Sequence, residues 1–228
     1  FKLSKISSDI NETPPLQISG KSKLHAIHYD LPIASAQVKS SILLAGLYAE
    51  GITTLTEPAV TRDHTERMLI SMGAKFNKSS NKLCIEGKNE LHGCDISVPA
   101  DLSSASFIIL AALIAKKADV LIQNVGINPT RTGVIDILKS MGAQITLENE
   151  QQSSGEPVAD IRVKSSKLVG SVIDPNLVSL AIDEFPVLFV AAAFSEGKTT
   201  FSGIGELRVK ESDRITAMSE GLKKLGIM

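Results

Sequence analysis

What most limits the folds open to this chain is a plan that it repeats three times. In the first copy, Val38, Ile42, Ala45 and Leu47 recur at helical spacing from a start near Ser35, which predicts a buried helix ended by Gly51. Residues 52–56 read as a strand, and 61–69 as a second helix with Asp63 and Glu66 spaced as an N-cap and its reciprocal partner. Met72-Gly73-Ala74 closes the copy. In the second copy, 101–106 precede an apolar helix running to Ala115, 120–122 is a strand, Asn128 to Thr132 open a helix, and Met141-Gly142-Ala143 closes. In the third, Asp183-Glu184-Phe185-Pro186 open a helix with Pro near its first turn, and Gly197 ends it. There 198–201 is a strand, 210–214 starts the last helix and Leu225-Gly226-Ile227 closes. The second interval between closing glycines is the longer, and its surplus is assigned to a polar loop over 148–157. Ahead of the first copy, Pro14-Pro15 reads as a turn into a short strand reaching Gly20. Units of this length with two helices each are too large for ordinary solenoid repeats. They predict an α/β fold in which small sheets pack their helices inward, the nearly all-apolar first helices being the buried ones.

A chain of 228 residues, 43% hydrophobic and 21% charged, can bury a real core, which excludes a disordered or fibrous protein. A formal net charge of −1 supplies no long-range field for nucleic acid or an anionic membrane, so an anionic ligand has to be caught by local cations. That favours a small phosphorylated or carboxylated substrate. Cys84 and Cys94, without a second pair or clustered His, argue against a metal site or a disulfide framework and for a reducing cytoplasm. The longest apolar run, 107–115, falls short of the ~20 residues that a membrane-crossing helix needs, and reads as a core helix. The chain begins at Phe1 rather than Met, and a targeting segment ahead of it would lie outside the sequence.

The candidates for chemistry stand where helices begin. Ser35, Ala36, Gln37 and Lys39 offer a hydroxyl, an amide and a cation at a helix N-terminus, whose unpaired N–H groups favour anions. The bland alternative is that Ser35 only caps the helix. Arg62 opens the next helix as a cation, His64 reads as a surface capping residue rather than a base, and Ser103 and Ser104 read as caps. Asp183 and Glu184 are two adjacent acids ahead of an apolar helix, where capping needs only one, and a carboxylate beside a buried helix can be tuned for proton transfer. Lys210, Glu211 and Arg214 fall on neighbouring positions of one helical face. Surface ion pairing is the alternative there. Arg208 weakens it, because three cations at a helix start oppose the dipole unless an anion is bound.

Four stretches carry a family signature in order and spacing: Ala34-Ser35-Ala36-Gln37-Val38-Lys39-Ser40, Thr61-Arg62-Asp63-His64-Thr65-Glu66, Ile182-Asp183-Glu184-Phe185-Pro186 and Arg208-Val209-Lys210-Glu211-Ser212-Asp213-Arg214. Through them the chain resembles, over nearly its whole length, the 5-enolpyruvylshikimate-3-phosphate synthases. The resemblance implies the inside-out α/β barrel of the enolpyruvyl transferases, built of repeated β-α-β-α units, with three of the family's six present. Residues 1–97 would be the last repeat of the N-terminal domain and 98–228 the first two repeats of the C-terminal domain. The activity implied is transfer of the enolpyruvyl group from phosphoenolpyruvate to the 5-hydroxyl of shikimate 3-phosphate. It proceeds by addition and elimination with release of phosphate, in aromatic amino acid biosynthesis. No metal and no organic cofactor is implied, nor a nucleic-acid or membrane partner; a cytoplasmic protein, monomeric at full length, is. Carried over by motif, Ser35, Ala36 and Gln37 would hold shikimate 3-phosphate, with Arg62 reaching its phosphate. Asp183 would take a proton from the attacking hydroxyl, and Lys210 would contact the same substrate. Glu211 would exchange a proton with the methylene carbon, and Arg214 would clamp phosphoenolpyruvate.

The family's N-terminal Lys and Arg that grip both substrates, an arginine of its second repeat, and its C-terminal Arg and Lys for phosphoenolpyruvate have no counterparts here. The chain is therefore expected to hold part of an active site. The alternatives are a non-catalytic fragment, half of a complementing pair, or another enolpyruvyl transferase on the same fold. The sister enzyme acting on UDP-N-acetylglucosamine uses a loop cysteine, and neither Cys84 nor Cys94 stands in such a loop.

Overall fold

In the first copy, residues 52–56 alternate Thr53 and Leu55 inward with Ile52 outward, and the structure, a computed structural model, makes them a strand as that pattern requires. It describes residues 2–5, 16–20 and 23–227, with backbone alone for 2–5 and 16–19. The Pro14-Pro15 turn lies outside the described residues, and the strand expected after it is Leu16–Ser19. The chain divides into two compact units, residues up to 60 with 72–92, and 61–71 with 93–228.

In the first unit, β1 (Lys2–Lys5) pairs antiparallel with β2 (Leu16–Ser19), and β3 (Leu24–His25) pairs parallel with β5 (Ala49–Glu50). A four-stranded sheet runs in the order β4 (His28–Asp30), β6 (Ile52–Thr56), β8 (Lys82–Glu86), β7 (Phe76–Ser79), parallel at β4–β6 and antiparallel elsewhere. Leu31, Leu55 and Leu83 form its core with Ile42 and Phe76. α1 (Ala36–Gly46) is capped by the Ser35 hydroxyl oxygen, which accepts from the Val38 N–H at 3.3 Å. It stops at Gly46 rather than Gly51, because Ala49–Glu50 leave the helix to pair with β3 and Gly51, at φ +102°, turns the chain into β6. Its buried stripe is Lys39, Leu43 and Gly46, whereas Val38 and Leu44 are exposed. The expected stripe holds at Ile42, which packs against the sheet core, but not at Val38, and Lys39 takes the inward place instead. A charged pair explains it: the Lys39 ammonium meets the Glu57 carboxylate at 3.2 Å, and both side chains are 0% exposed.

The second unit begins with α2 (His64–Ser71) and continues with α3 (Leu102–Ile114), β9 (Asp119–Gly126), α4 (Gly133–Ser140), β10 (Gln144–Ser153) and β11 (Glu156–Lys164). α5 (Phe185–Ala193) and α6 (Arg214–Lys224) complete it. The antiparallel sheet β10-β11-β9 carries α3, α4 and α5 on a core that includes Ile109, Leu113, Ile137, Leu138 and Leu188. Each such side chain contributes about 1.5–3 kcal/mol on burial. Phe185, Phe189 and Phe201 meet edge-on, with ring centroids 5.5–5.7 Å apart. The closing glycines Gly73, Gly142 and Gly226 all sit at left-handed φ, +87°, +91° and +87°, so one backbone requirement recurs in all three copies.

Four expectations are corrected in this unit. Residues 148–157 are no loop: β10 and β11 form one long hairpin, with Gln151, Gln152 and Ser153 opposite Val158, Pro157 and Glu156. Its two-residue turn is Ser154-Gly155, at φ 50° and 85°, the primed geometry that matches strand twist; the outer strands are polar because they extend past the core. Residues 198–201 make only isolated parallel bridges, Val172 with Thr200, next to Val169 with Glu196. α3 is capped by Asp101, whose carboxylate accepts from the Ser104 N–H at 2.8 Å, and its apolar outer face stays in solvent, with Phe107 65% exposed. α6 begins at Arg214, capped by Asp213 through the Thr216 N–H at 3.0 Å, while Gly205–Arg208 form a separate 3-10 turn. Among the described residues no helix is long and apolar enough to cross a membrane.

Candidate active site

Asp183 precedes the first turn of α5 by two residues, directly after buried Ala181 and Ile182, and Pro186 fixes the φ of that turn. Its half-exposed carboxylate takes two guanidinium groups. Arg62, two residues ahead of α2, donates to Oδ2, and Arg214, the first residue of α6, donates from Nη1 to Oδ1 at 3.4 Å. Arg214 also donates from Nη2 to Glu211 Oε2 at 2.8 Å. One guanidinium therefore sits between two acids. Burial raises the proton affinity of Asp183, but the Arg62 hydrogen bond, with the charges of Arg62 and Arg214, holds its carboxyl below the ordinary aspartate range. The Arg214 hydrogen bond likewise holds exposed Glu211 low, and the same bond pushes the Arg214 guanidinium up.

Next along the chain, Glu184 is 2% exposed and points the other way. The Ser103 hydroxyl of α3 donates to its Oε1, Arg131 Nη2 donates to the Ser103 oxygen at 2.5 Å, and Arg131 lies 3.9 Å from Glu184 and 3.1 Å from Asp101. A second polar cluster binds the start of α2. Buried Asn128 donates from Nδ2 to Asp63 at 2.7 Å and Glu156 at 3.0 Å, the His64 ring nitrogen Nδ1 is 2.7 Å from Glu156, and Arg67 donates to Asp63 at 2.8 Å. The loop carrying Arg62 is thereby anchored to the β10–β11 hairpin.

Of the residues singled out in the sequence, the structure brings together Arg62, Asp183, Glu211 and Arg214. Lys210 stands beside Glu211 in the chain and pairs with Glu206, and Arg208 pairs with Asp213 at 2.9 Å. Each of the three clustered cations has a carboxylate partner, so their number alone does not require a bound anion as expected. Lys210 and Glu211 precede α6 and share no helical face. Ser35, Ala36 and Gln37 lie in the first unit, at the start of α1, with the Ser35 oxygen engaged as cap. Lys39 is turned into the core on Glu57 and offers no cation at that terminus. His64 is a partner of Glu156 rather than a cap, and Ser103 a tether to Glu184. Sequence reasoning did not reach Arg131 or Asn128, although both lie in the polar run Asn128-Pro129-Thr130-Arg131; its other signal, Asn128 Oδ1 accepting from Thr130, is turn chemistry.

Residues 4–228 match the family described as EPSP synthase (3-phosphoshikimate 1-carboxyvinyltransferase). A 3-phosphoshikimate 1-carboxyvinyltransferase of Alkalilimnicola ehrlichii is 57% identical over 222 residues, which cover 97% of this chain and 50% of that protein. The chain spans about half the length of the curated relatives it matches. An EPSP synthase structure from Acinetobacter baumannii superposes with a TM-score of 0.86 at 57% identity, covering 92% of this chain and 48% of that one. The enolpyruvyl transferase NikO of Streptomyces tendae, at 20% identity and a TM-score of 0.60 over 81% of this chain and 44% of its own, shares the fold. With its α/β fold of the enolpyruvyl-transferase type and a match that runs from residue 4 to the end, the chain belongs to the EPSP synthase family.

Proposed function

We propose that residues 1–228 are the middle part of an enzyme that transfers the enolpyruvyl group of phosphoenolpyruvate to the 5-hydroxyl of shikimate 3-phosphate and releases phosphate. The observation that carries this reading is the Arg62–Asp183–Arg214–Glu211 chain, two cations and two acids in alternation. In it Arg62 takes the phosphate of shikimate 3-phosphate, and Ser35, Ala36 and Gln37 at the start of α1 hold the same substrate, joined by Lys210. Arg214 clamps phosphoenolpyruvate. Asp183 accepts the proton of the attacking hydroxyl, and Glu211 exchanges a proton with the methylene carbon. Residues 1–97 are then the last repeat of an N-terminal domain and 98–228 the first two of a C-terminal one, in a monomeric cytoplasmic protein.

The alternation gives a reason for the chemistry to wait for substrate. A carboxylate held by two guanidiniums is a poor base. Anions compete for the same donors, since charge-assisted bonds from Arg to phosphate and to carboxylate are alike in strength and geometry. As Arg62 and Arg214 turn to the substrates, both Asp183 and Glu211 regain proton affinity. The kinetic consequence has a definite sign. The profile of kcat/KM reports the free enzyme and that of kcat the substrate complex. The acid limb of kcat/KM set by Asp183 should therefore lie below the ordinary aspartate range, and the acid limb of kcat at higher pH. Coincident limbs in the full-length protein would refute this exchange of partners.

The direct test is calorimetry on the full-length protein. Arg62→Ala should weaken shikimate 3-phosphate by roughly 10- to 150-fold, the loss of one charge-assisted contact of about 1.5–3 kcal/mol. Unchanged affinity for that ligand, with a loss for phosphoenolpyruvate instead, would overturn the site map.

A further inference from the structure

Glu184 has no place in that reaction, yet its position is costly. It is the N-cap of α5 by its backbone, with the Leu188 N–H on its carbonyl at 3.0 Å, but its side chain makes no capping bond. A carboxylate at a helix start ordinarily takes the orphan N–H groups of the first turn. Here it is turned instead into the protein, 2% exposed, onto Ser103 of α3. Burial pushes its carboxyl up, and the Ser103 hydrogen bond and the Arg131 charge only partly oppose that. An apolar residue would fill this place at lower cost.

The geometry around it is a tripod. Arg131 donates to Ser103, which has one hydroxyl proton and donates it to Glu184; Arg131 also pairs with Asp101, the cap of α3. The start of α3, the run ahead of α4 and the start of α5 are thus tied at one point, one residue from Asp183. We propose that Glu184, pinned by Ser103 and Arg131, is a positioning residue that fixes the first turn of α5 so that Asp183 is presented to Arg62 and Arg214. This rests on the reading of Asp183 as the proton acceptor. The charged groups facing Glu184 are Arg131, Asp183 and Arg62, so the tether also sets the charge next to the base.

The test uses the full-length protein and steady-state phosphate release. Glu184→Ala should lower kcat on the order of 10- to 100-fold, the scale of a small misplacement of a reacting group, with KM for both substrates unchanged. Ser103→Ala should do the same, and the double variant should lose no more than either single one, because both cut one tether. Glu184→Gln, which keeps an oxygen for the Ser103 hydroxyl, should recover most of the rate. Its melting temperature at neutral pH should equal or exceed that of the parent: a carboxyl raised in the folded state withholds stability once ionised, and Gln removes that penalty. Wild-type kcat in Glu184→Ala, additive losses in the double variant, or a fall in rate of Glu184→Gln that tracks a lower melting temperature would each overturn the proposal. Asp183→Asn in the same assay separates the two readings. If it turns over normally, the assignment of Asp183 fails; if it is inactive while Glu184→Ala is normal, only the positioning role fails.

Discussion

Asp183→Asn should lower kcat of the full-length protein by roughly 10²–10⁴-fold, the usual yield of a positioned general base, without weakening either anionic substrate. The second half of that expectation comes from the pairing. Asp183 competes for the guanidiniums of Arg62 and Arg214, so making it neutral leaves both donors readier for phosphate and carboxylate. Calorimetric affinities should be unchanged or tighter as turnover collapses. Glu211→Gln should show the same loss of rate, and it frees Arg214 only, so any tightening should be confined to phosphoenolpyruvate. Near-normal turnover in both variants would remove the assigned roles. A collapse of affinity together with rate would instead make Asp183 a structural anchor for the two arginines.

The repeated plan was legible because it rests on local chemistry. Strand 52–56, the apolar helix before Ala115, Pro186 at the start of α5 and three left-handed closing glycines are each dictated by residues within a few positions. What the sequence hid depends on partners far along the chain. Residues 148–157 look like a loop because their side chains are polar, and only the opposite strand and the Ser154-Gly155 turn make them a hairpin. Thr199 and Thr200 have strand propensity but no ladder to join. At the site, Asp183, Glu211, Arg62 and Arg214 could be named from charge at helix starts together with the family motifs. Their pairing across 121 residues, Arg62 to Asp183, could not. Glu184 was visible as one acid too many for a cap, but its reason, Ser103 and Arg131, lies on other elements.

Lys39 is the clearest case of a residue whose sequence context points one way and whose environment points another, and it carries the largest stability effect expected. At the start of α1, beside Ser35 and Gln37, it looked like a cation waiting for an anion. In the fold it is 0% exposed and its ammonium is 3.2 Å from the Glu57 carboxylate, itself 0% exposed. Removing one partner of a buried pair leaves the other charge in a medium that solvates it badly. Lys39→Ala should therefore destabilise the first unit by about 3–5 kcal/mol in denaturant unfolding. Hydrogen exchange in α1 localises the effect, since that helix packs its inner stripe through Lys39, Leu43 and Gly46. If Lys39 served an anion at the helix start, the single variant would instead keep its stability and lose affinity for the phosphorylated substrate.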